Sequence, residues 1–259
     1  MNGLDHLFRR IVLELSNSYH DERTMHFLAE VAEALDLELA ARYVIDPSLA
    51  KAAALPFNRE YRLLENAWHP LNGEDLAQSL ELSAAAARRR LEQIASAHRV
   101  RLSFEPASAN IAVDSRTGRL DSVVAIGQRW NASLAEAALQ AAFERAAGVL
   151  LLPRACPTRR GAILVAAEEA DATLLQIGAR LAERRHEPLI TFGGPSKRDE
   201  YQETNRHPIP AADVLTTRGV GSFGPAQTKL VVARRGALDD SHLLTLVTRR
   251  NVPVLVIDR

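Results

Sequence analysis

The chain has 259 residues, 47% of them hydrophobic, with 32 Lys plus Arg set against 32 Asp plus Glu. That length supports two units of roughly 100 to 150 residues with separate cores, and the charge balance excludes a long-range field that would draw the chain to nucleic acid or an anionic membrane. No apolar run approaches the roughly 20 residues of a membrane span, and residues 1–10 lack a signal-peptide core, so a cytoplasmic protein is expected; the single Cys156 excludes an internal disulfide and a cysteine metal cluster within one chain.

Ile11 to Leu15 is a short apolar run of the kind expected for a parallel strand covered on both faces, with Glu14 marking an edge or a strand end. From Glu22 to Leu37, Met25, Leu28, Ala29, Val31, Ala32 and Leu35 recur at three and four, which predicts a helix with one buried face and Asp21 as its N-cap. Leu37 to Ile45 returns as a strand, completing a right-handed βαβ unit. Asp46 to Asn72, broken by Pro47, Pro56 and Pro70, reads as an inserted loop carrying one short helix. Gly73 to His98 is the longest predicted helix, its stripe running from Leu76 through Leu91 to Ala95, and Val100 to Phe104 follows as a strand. Thr117-Gly118 puts a turn signal where a regular unit would have a helix, so that crossover is expected to be lost or replaced by a hairpin. Ser122 to Ile126 is a strand, Ser133 to Ala147 a helix, and Val149 to Leu152 a strand.

The same order then begins again. Ala162 to Ala167 is a strand, Asp171 to Arg185 a helix with Leu174, Ile177, Gly178 and Leu181 inward, and Leu189 to Phe192 a strand. Gly193 to Pro210 is polar and rich in turn formers, a loop, with a short strand expected near Val214 to Thr216. Lys229 to Ala233, Ser241 to Arg250 and Val252 to Ile257 close the chain as strand, helix and strand, matching the unit that ends at Leu152. Two divergent copies of one α/β domain are expected.

This arrangement resembles a tandem universal stress protein, most clearly in Val231 to Gly236 (VVARRG) and Arg249 to Ile257 (RRNVPVLVI), with Asp46 to Leu49 and Leu55 to Glu60 similar to two-domain bacterial relatives. The resemblance implies an α/β fold of two tandem Rossmann-like domains of the universal stress protein, or adenine nucleotide alpha hydrolase-like, type with mostly parallel sheets. Residues 1–153, with an insertion at about 46–72, would form the first domain and 160–259 the second. It also implies that Val149 to Leu152 and Pro253 to Ile257 meet antiparallel, because family members pair their domains through the last strand.

ATP-binding members of that family carry an Asp after the first strand and G-x-x-G, nine residues, then G-S or G-T, so that backbone N–H groups cradle phosphate. Here the Asp position falls on Ser16 in the first copy and Glu168 in the second. Gly127 is followed three residues later by Trp130, Ala132-Ser133 stands at the G-S position after a short loop, and Ala233 replaces the first glycine while Gly236 matches the second. The candidate ligand crevices are therefore Ser16, Gly127 and Ser133, and Glu168 and Gly236, each with an eroded cradle. A non-catalytic regulatory or binding protein that has lost ATP binding is expected, with no cofactor, no bound metal, no nucleic acid and no membrane. Its partner would be an unidentified protein or small molecule, and a homodimer is one option. The rivals are a nucleotide or small-molecule binder with a non-canonical site, such as the crevice under Ala50 to Asn58, and an enzyme of the nucleotide-dependent α/β hydrolase superfamily, which the lack of a complete catalytic set disfavours.

Among the eight histidines no two have the i, i+4 spacing of a helical metal pair, so surface or structural roles are expected. Glu168-Glu169 is better explained as a solvated helix start than as a catalytic pair, and Gly193 to Lys197 does not complete a phosphate-loop motif. The arginine clusters at 88–90, 184–185, 234–235 and 249–250 could bind an anion or a partner, but most read as helix-surface or strand-end charges. Cys156 is expected to be an inert linker thiol rather than a reactive one.

Overall fold

A computed structural model describes residues 7–16, 21–44, 47–53, 55, 57–106, 121–127, 139–158, 160–166, 171–192 and 228–258. The first stretch runs β1 (Arg10–Ser16), α1 (Glu22–Leu35), β2 (Glu38–Val44), α2 (Pro47–Ala53), β3 (Arg59–Arg62), β4 (Ala67–Pro70), α3 (Gly73–Ala97), β5 (Leu102–Pro106), β6 (Ser122–Gly127) and β7 (Gly148–Leu152). The second runs β8 (Ala162–Ala166), α4 (Ala172–Arg185), β9 (Leu189–Phe192), β10 (Thr228–Arg234), α5 (Asp240–Thr248) and β11 (Val254–Ile257). Residues 139–143, before β7, are also helical. The expected short strand near Val214 to Thr216 and the turn at Thr117-Gly118 lie outside the described residues.

Helices α1 and α4 show how closely local chemistry repeats. Each spans 14 residues, and each starts at an aspartate whose carboxylate accepts a backbone N–H of the first turn, Asp21 from Arg23 and Asp171 from Leu174. Each also stops at a non-glycine residue in the left-handed region, Asp36 at φ 56° and His186 at φ 52°, whose N–H turns back to the carbonyls of Ala32 and Glu33 or of Ala182 and Glu183. Satisfying orphan groups at both ends in this way fixes where the chain enters and leaves the helix.

Nine strands form one sheet in the order β5-β2-β1-β6-β7-β11-β10-β8-β9. Every neighbouring pair is parallel except β7 and β11, which run antiparallel with Val254 opposite Leu151 and Val256 opposite Val149. This is the expected meeting of the two last strands. The seam is closed to solvent, for Val149, Leu150, Leu151 and Val254 are each 0% exposed. The chain is thus a mostly parallel, Rossmann-like α/β structure. One apolar cluster fills the face under α1, α3 and α4, including Leu28, Leu91 and Ile177, and a second fills the face under residues 139–143 and α5, including Leu139, Phe143 and Val247. Strands buried on both faces explain the near-continuous apolar runs.

Two details differ from expectation. The insertion holds, besides α2, a separate two-stranded antiparallel sheet in which Tyr61 faces Trp68. Its strands have four residues each and Asn66, at φ 51°, makes the turn, so no long alternating pattern betrayed them. Of the two readings of Glu14, an edge or a strand end, the edge does not hold, since β1 lies between β2 and β6. Glu14 is tolerated because it falls beyond the β6 ladder, which ends at Leu13 opposite Ala125, and is exposed there.

Candidate functional site

In an open parallel sheet the binding crevice lies outside the carboxyl ends of two neighbouring strands whose following helices leave to opposite faces. Two places here meet that condition. After β1 the chain enters α1 on one face, whereas the helix at residues 139–143, after β6, is buried in the other cluster. Likewise α4 follows β8 onto the first face and α5 follows β10 onto the second. Ser16 is the last residue of β1 and Gly127 the last, exposed residue of β6, so the structure brings these two to one strand-end crevice. Gly236 lies in the turn after β10, exposed and at φ 86°, at the other. Because β7 and β11 are antiparallel, the two crevices open at opposite edges of the sheet. Ser133 and Glu168 lie outside the described residues, as do Trp130, Glu169 and Gly193 to Lys197.

The second crevice is crossed by the protein's own charges. Arg234, the last residue of β10, donates from Nε to Oδ2 of Asp171, the N-cap of α4. The bond to Arg234 holds the Asp171 carboxyl below the usual aspartate range, opposed by partial burial and helped by the Leu174 N–H. The next residue, Arg235, donates to Asp258 at 3.0 Å and to Gln140 at 2.9 Å, and its guanidinium lies 4.6 Å from the centre of the Phe143 ring. Only five residues separate β10 from α5, and that helix begins at Asp239, whose Oδ1 accepts from the His242 N–H at 2.7 Å and from the Ser241 hydroxyl at 2.9 Å. These bonds, the His242 N–H first, keep Asp239 ionised to lower pH than an ordinary aspartate. A carboxylate that already caps the helix occupies the positive end that would otherwise receive a phosphate. Ala233 is wholly buried within β10 and presents no backbone loop.

Between the halves, below α1, lies a charged cluster that the apolar pattern hid. Glu30 of α1 accepts from Arg185 at 2.7 Å and from Lys229 at 3.3 Å, with the Lys229 side chain 5% exposed and its Nζ 5.9 Å from the centre of the Phe27 ring. Glu187 faces the same pocket, and burial pushes its carboxyl up while Lys229 and Arg185 pull it down. The readable signal was Lys229 opening an otherwise apolar strand, since a buried ammonium requires a partner. Alongside, Cys156 is 2% exposed, receives the Thr24 hydroxyl at 3.6 Å, and burial pushes its thiol up to about 12. A buried thiol held protonated in this way is the kind expected to be unreactive in the folded chain.

Near the first turns of α1, Asp21, Arg23, His26 and Glu30 line a cleft of about 470 Å³ with Pro157 and Thr158. His26 Nδ1 lies 3.4 Å from His98 Nε2, whose other ring nitrogen is 3.0 Å from Glu33. Residues 72 apart in the chain gave no sequence signal for this contact. Among the described residues no group of three or more His, Cys, Asp or Glu side chains could hold a metal ion, and no helix is long and apolar enough to cross a membrane. Of the arginine groups, Arg88 pairs with Glu92 one turn away at 2.7 Å, while Arg185, Arg234 and Arg235 are engaged as above.

The fold and its switch points define the class as α/β with a Rossmann-like parallel sheet. Among solved structures it is similar to a functionally unknown protein from Pseudomonas aeruginosa PAO1, at 14% identity and a TM-score of 0.50, covering 97% of this chain and 93% of that one. It is also similar to a "Putative Universal Stress Protein" from Pseudomonas aeruginosa UCBPP-PA14, at 13% identity and a TM-score of 0.49, covering 99% and 95%. No family model and no curated protein matches the chain.

Proposed function

We propose that this chain is a universal stress protein-like, non-catalytic binding or regulatory protein, built from two tandem copies of one unit, that no longer binds ATP in either strand-end crevice. The observation carrying this reading is the Arg234–Asp171 ion pair, which ties the end of β10 to the start of α4 across the second crevice. The self-capped Asp239 supports it, because ATP would have to displace a bonded carboxylate to reach the α5 N-terminus. The repeated caps of α1 and α4 favour the tandem origin. A second reading, small-molecule binding outside those crevices, is favoured by the cleft beside α1, whose volume lies within the range of roughly 300–1,000 Å³ usual for ligand pockets.

Thermal melting with ATP, ADP, AMP and cyclic nucleotides tests the proposal. A ligand present at 100 times its Kd would stabilise the native state by about 2.7 kcal/mol, a shift of several degrees. No shift at millimolar ATP is expected, and stoichiometric micromolar binding by isothermal titration would overturn the loss of ATP binding.

A further inference from the structure

We infer that the β3–β4 hairpin is a dimerisation arm that docks on the same surface of a second copy of this chain. Among the described residues, all seven large hydrophobic side chains left exposed fall between positions 55 and 82. Five of them belong to the hairpin or its approach: Phe57 at 73%, Tyr61 at 42%, Leu63 at 85%, Leu64 at 102% and Trp68 at 63% exposure. The hairpin is inverted relative to an ordinary two-stranded sheet. Its exposed face carries Arg59, Tyr61, Trp68 and Pro70, with the Tyr61 and Trp68 rings 5.2 Å apart, whereas Glu60, Arg62 and His69 occupy the half-buried face. On that inner face Arg62 meets Glu60 at 2.6 Å and Asp75 of α3 at 3.7 Å. An isolated two-stranded sheet is marginal in water, and one showing its aromatic face to solvent lacks the burial that would hold it.

Area and the apolar character of the face select a second copy as the occupant, and charge disfavours a membrane. The five side chains expose on the order of 800 Å², about what each partner contributes to a standard-size stable interface. In a two-fold dimer the patch meets itself, so it must be self-complementary. The exposed face satisfies this by being apolar, with Arg59 the only charged strand residue on it, and residues 46–72 as a whole set Lys51, Arg59 and Arg62 against Asp46, Glu60 and Glu65, so no net charge opposes the contact. A membrane-docking tip would instead need a basic excess to gain from anionic lipid, and there is none. Neither β3 nor β4 pairs with another described strand, so both carry an outer edge, and the chain's zero formal charge sets no long-range repulsion between copies.

The test is sedimentation velocity of the full chain from about 1 to 100 μM, alongside Leu63→Lys/Leu64→Lys and Trp68→Ala, whose side chains are exposed enough that melting should stay within about 2 °C of wild type. Wild type is expected to be dimeric at the upper concentrations, with the dimer dissociation constant raised at least 100-fold in the double variant and about 10-fold or more in the tryptophan variant. A wild type that stays monomeric to 100 μM, or a dimer equally tight in both variants, would overturn the proposal. So would a monomer that sediments with phosphatidylcholine/phosphatidylglycerol vesicles and loses them in the double variant, which would make the arm a membrane contact.

Discussion

Proline placed in β11 tests the antiparallel seam between β7 and β11. The Val231 N–H bonds to the Pro253 carbonyl and the Arg235 N–H to the Ile257 carbonyl, so odd-numbered residues of β11 turn their backbone groups toward β10. Even-numbered residues therefore face β7, as the 3.0 Å bond from the Asp258 N–H to the Ala147 carbonyl illustrates. Val254→Pro and Val256→Pro each delete one donor to β7 and leave a buried carbonyl unpaired, which costs about 1–3 kcal/mol. Each also forces a ring into a position 0–1% exposed, where overpacking adds about 1–3 kcal/mol. A loss of about 3 kcal/mol or more is expected, or roughly 6–12 °C in melting temperature for a chain of this size. Circular dichroism melts and light scattering measure it. Leu255→Pro is the matched control, removing a β10 bond instead and leaving the seam to β7 paired. If both even-numbered variants kept wild-type melting and monodisperse behaviour, the pairing of β7 with β11 would have to be abandoned.

Gly178→Ala should destabilise although alanine is the better helix former, because its methyl would lie 2.2 Å from Val165 Cγ2 where α4 crosses β8; a loss of about 1–3 kcal/mol is expected in urea melts, and an unchanged midpoint would contradict the close approach. Cys156 should resist a thiol reagent at pH 8 in the native state and react fully in denaturant, while rapid native labelling would contradict its burial. For Asp171 the folded carboxyl titrates below its unfolded value, so the stabilisation is complete above about pH 4 and disappears as pH falls through the folded value. Asp171→Asn should therefore be less stable than wild type at pH 7 and should lose less on acidification below pH 4, and parallel pH profiles for the two proteins would refute that contribution. Glu30→Ala removes the carboxylate bonded to the buried Lys229 and the half-buried Arg185, leaving only Glu187 to face them, and a cost of about 3 kcal/mol is expected in the same melts.

What could be read from the sequence was whatever repeats along the chain. Met25, Leu28 and Leu35 announced α1, and the runs at Val149 and Val254 announced strands buried on both faces, because burial imposes a period that local sequence must obey. The switch points followed from the order of elements, which placed Ser16 and Gly127 at one crevice and Gly236 at the other. What fills the second crevice did not follow. Asp171 reads in sequence only as the start of a helix, and nothing there says that Arg234, 63 residues later, closes on it. The β3–β4 hairpin escaped for the opposite reason, since its aromatic face points outward while Glu60, Arg62 and His69 lie on the inner face, reversing the usual signal.

The antiparallel seam also sets a timetable for making the protein. β7 lies between β6 and β11 in the finished sheet, yet β11 is about a hundred residues further along the chain, so at 5–20 residues per second the ribosome takes roughly 5–20 s to supply it. For that interval the newly made first half presents an apolar strand with one row of N–H and C=O groups unmatched. Neighbouring nascent chains on one message carry the same open edge at the same moment, so the speed of translation between Leu152 and Val254 governs how often the strand finds its own partner before it finds a copy's.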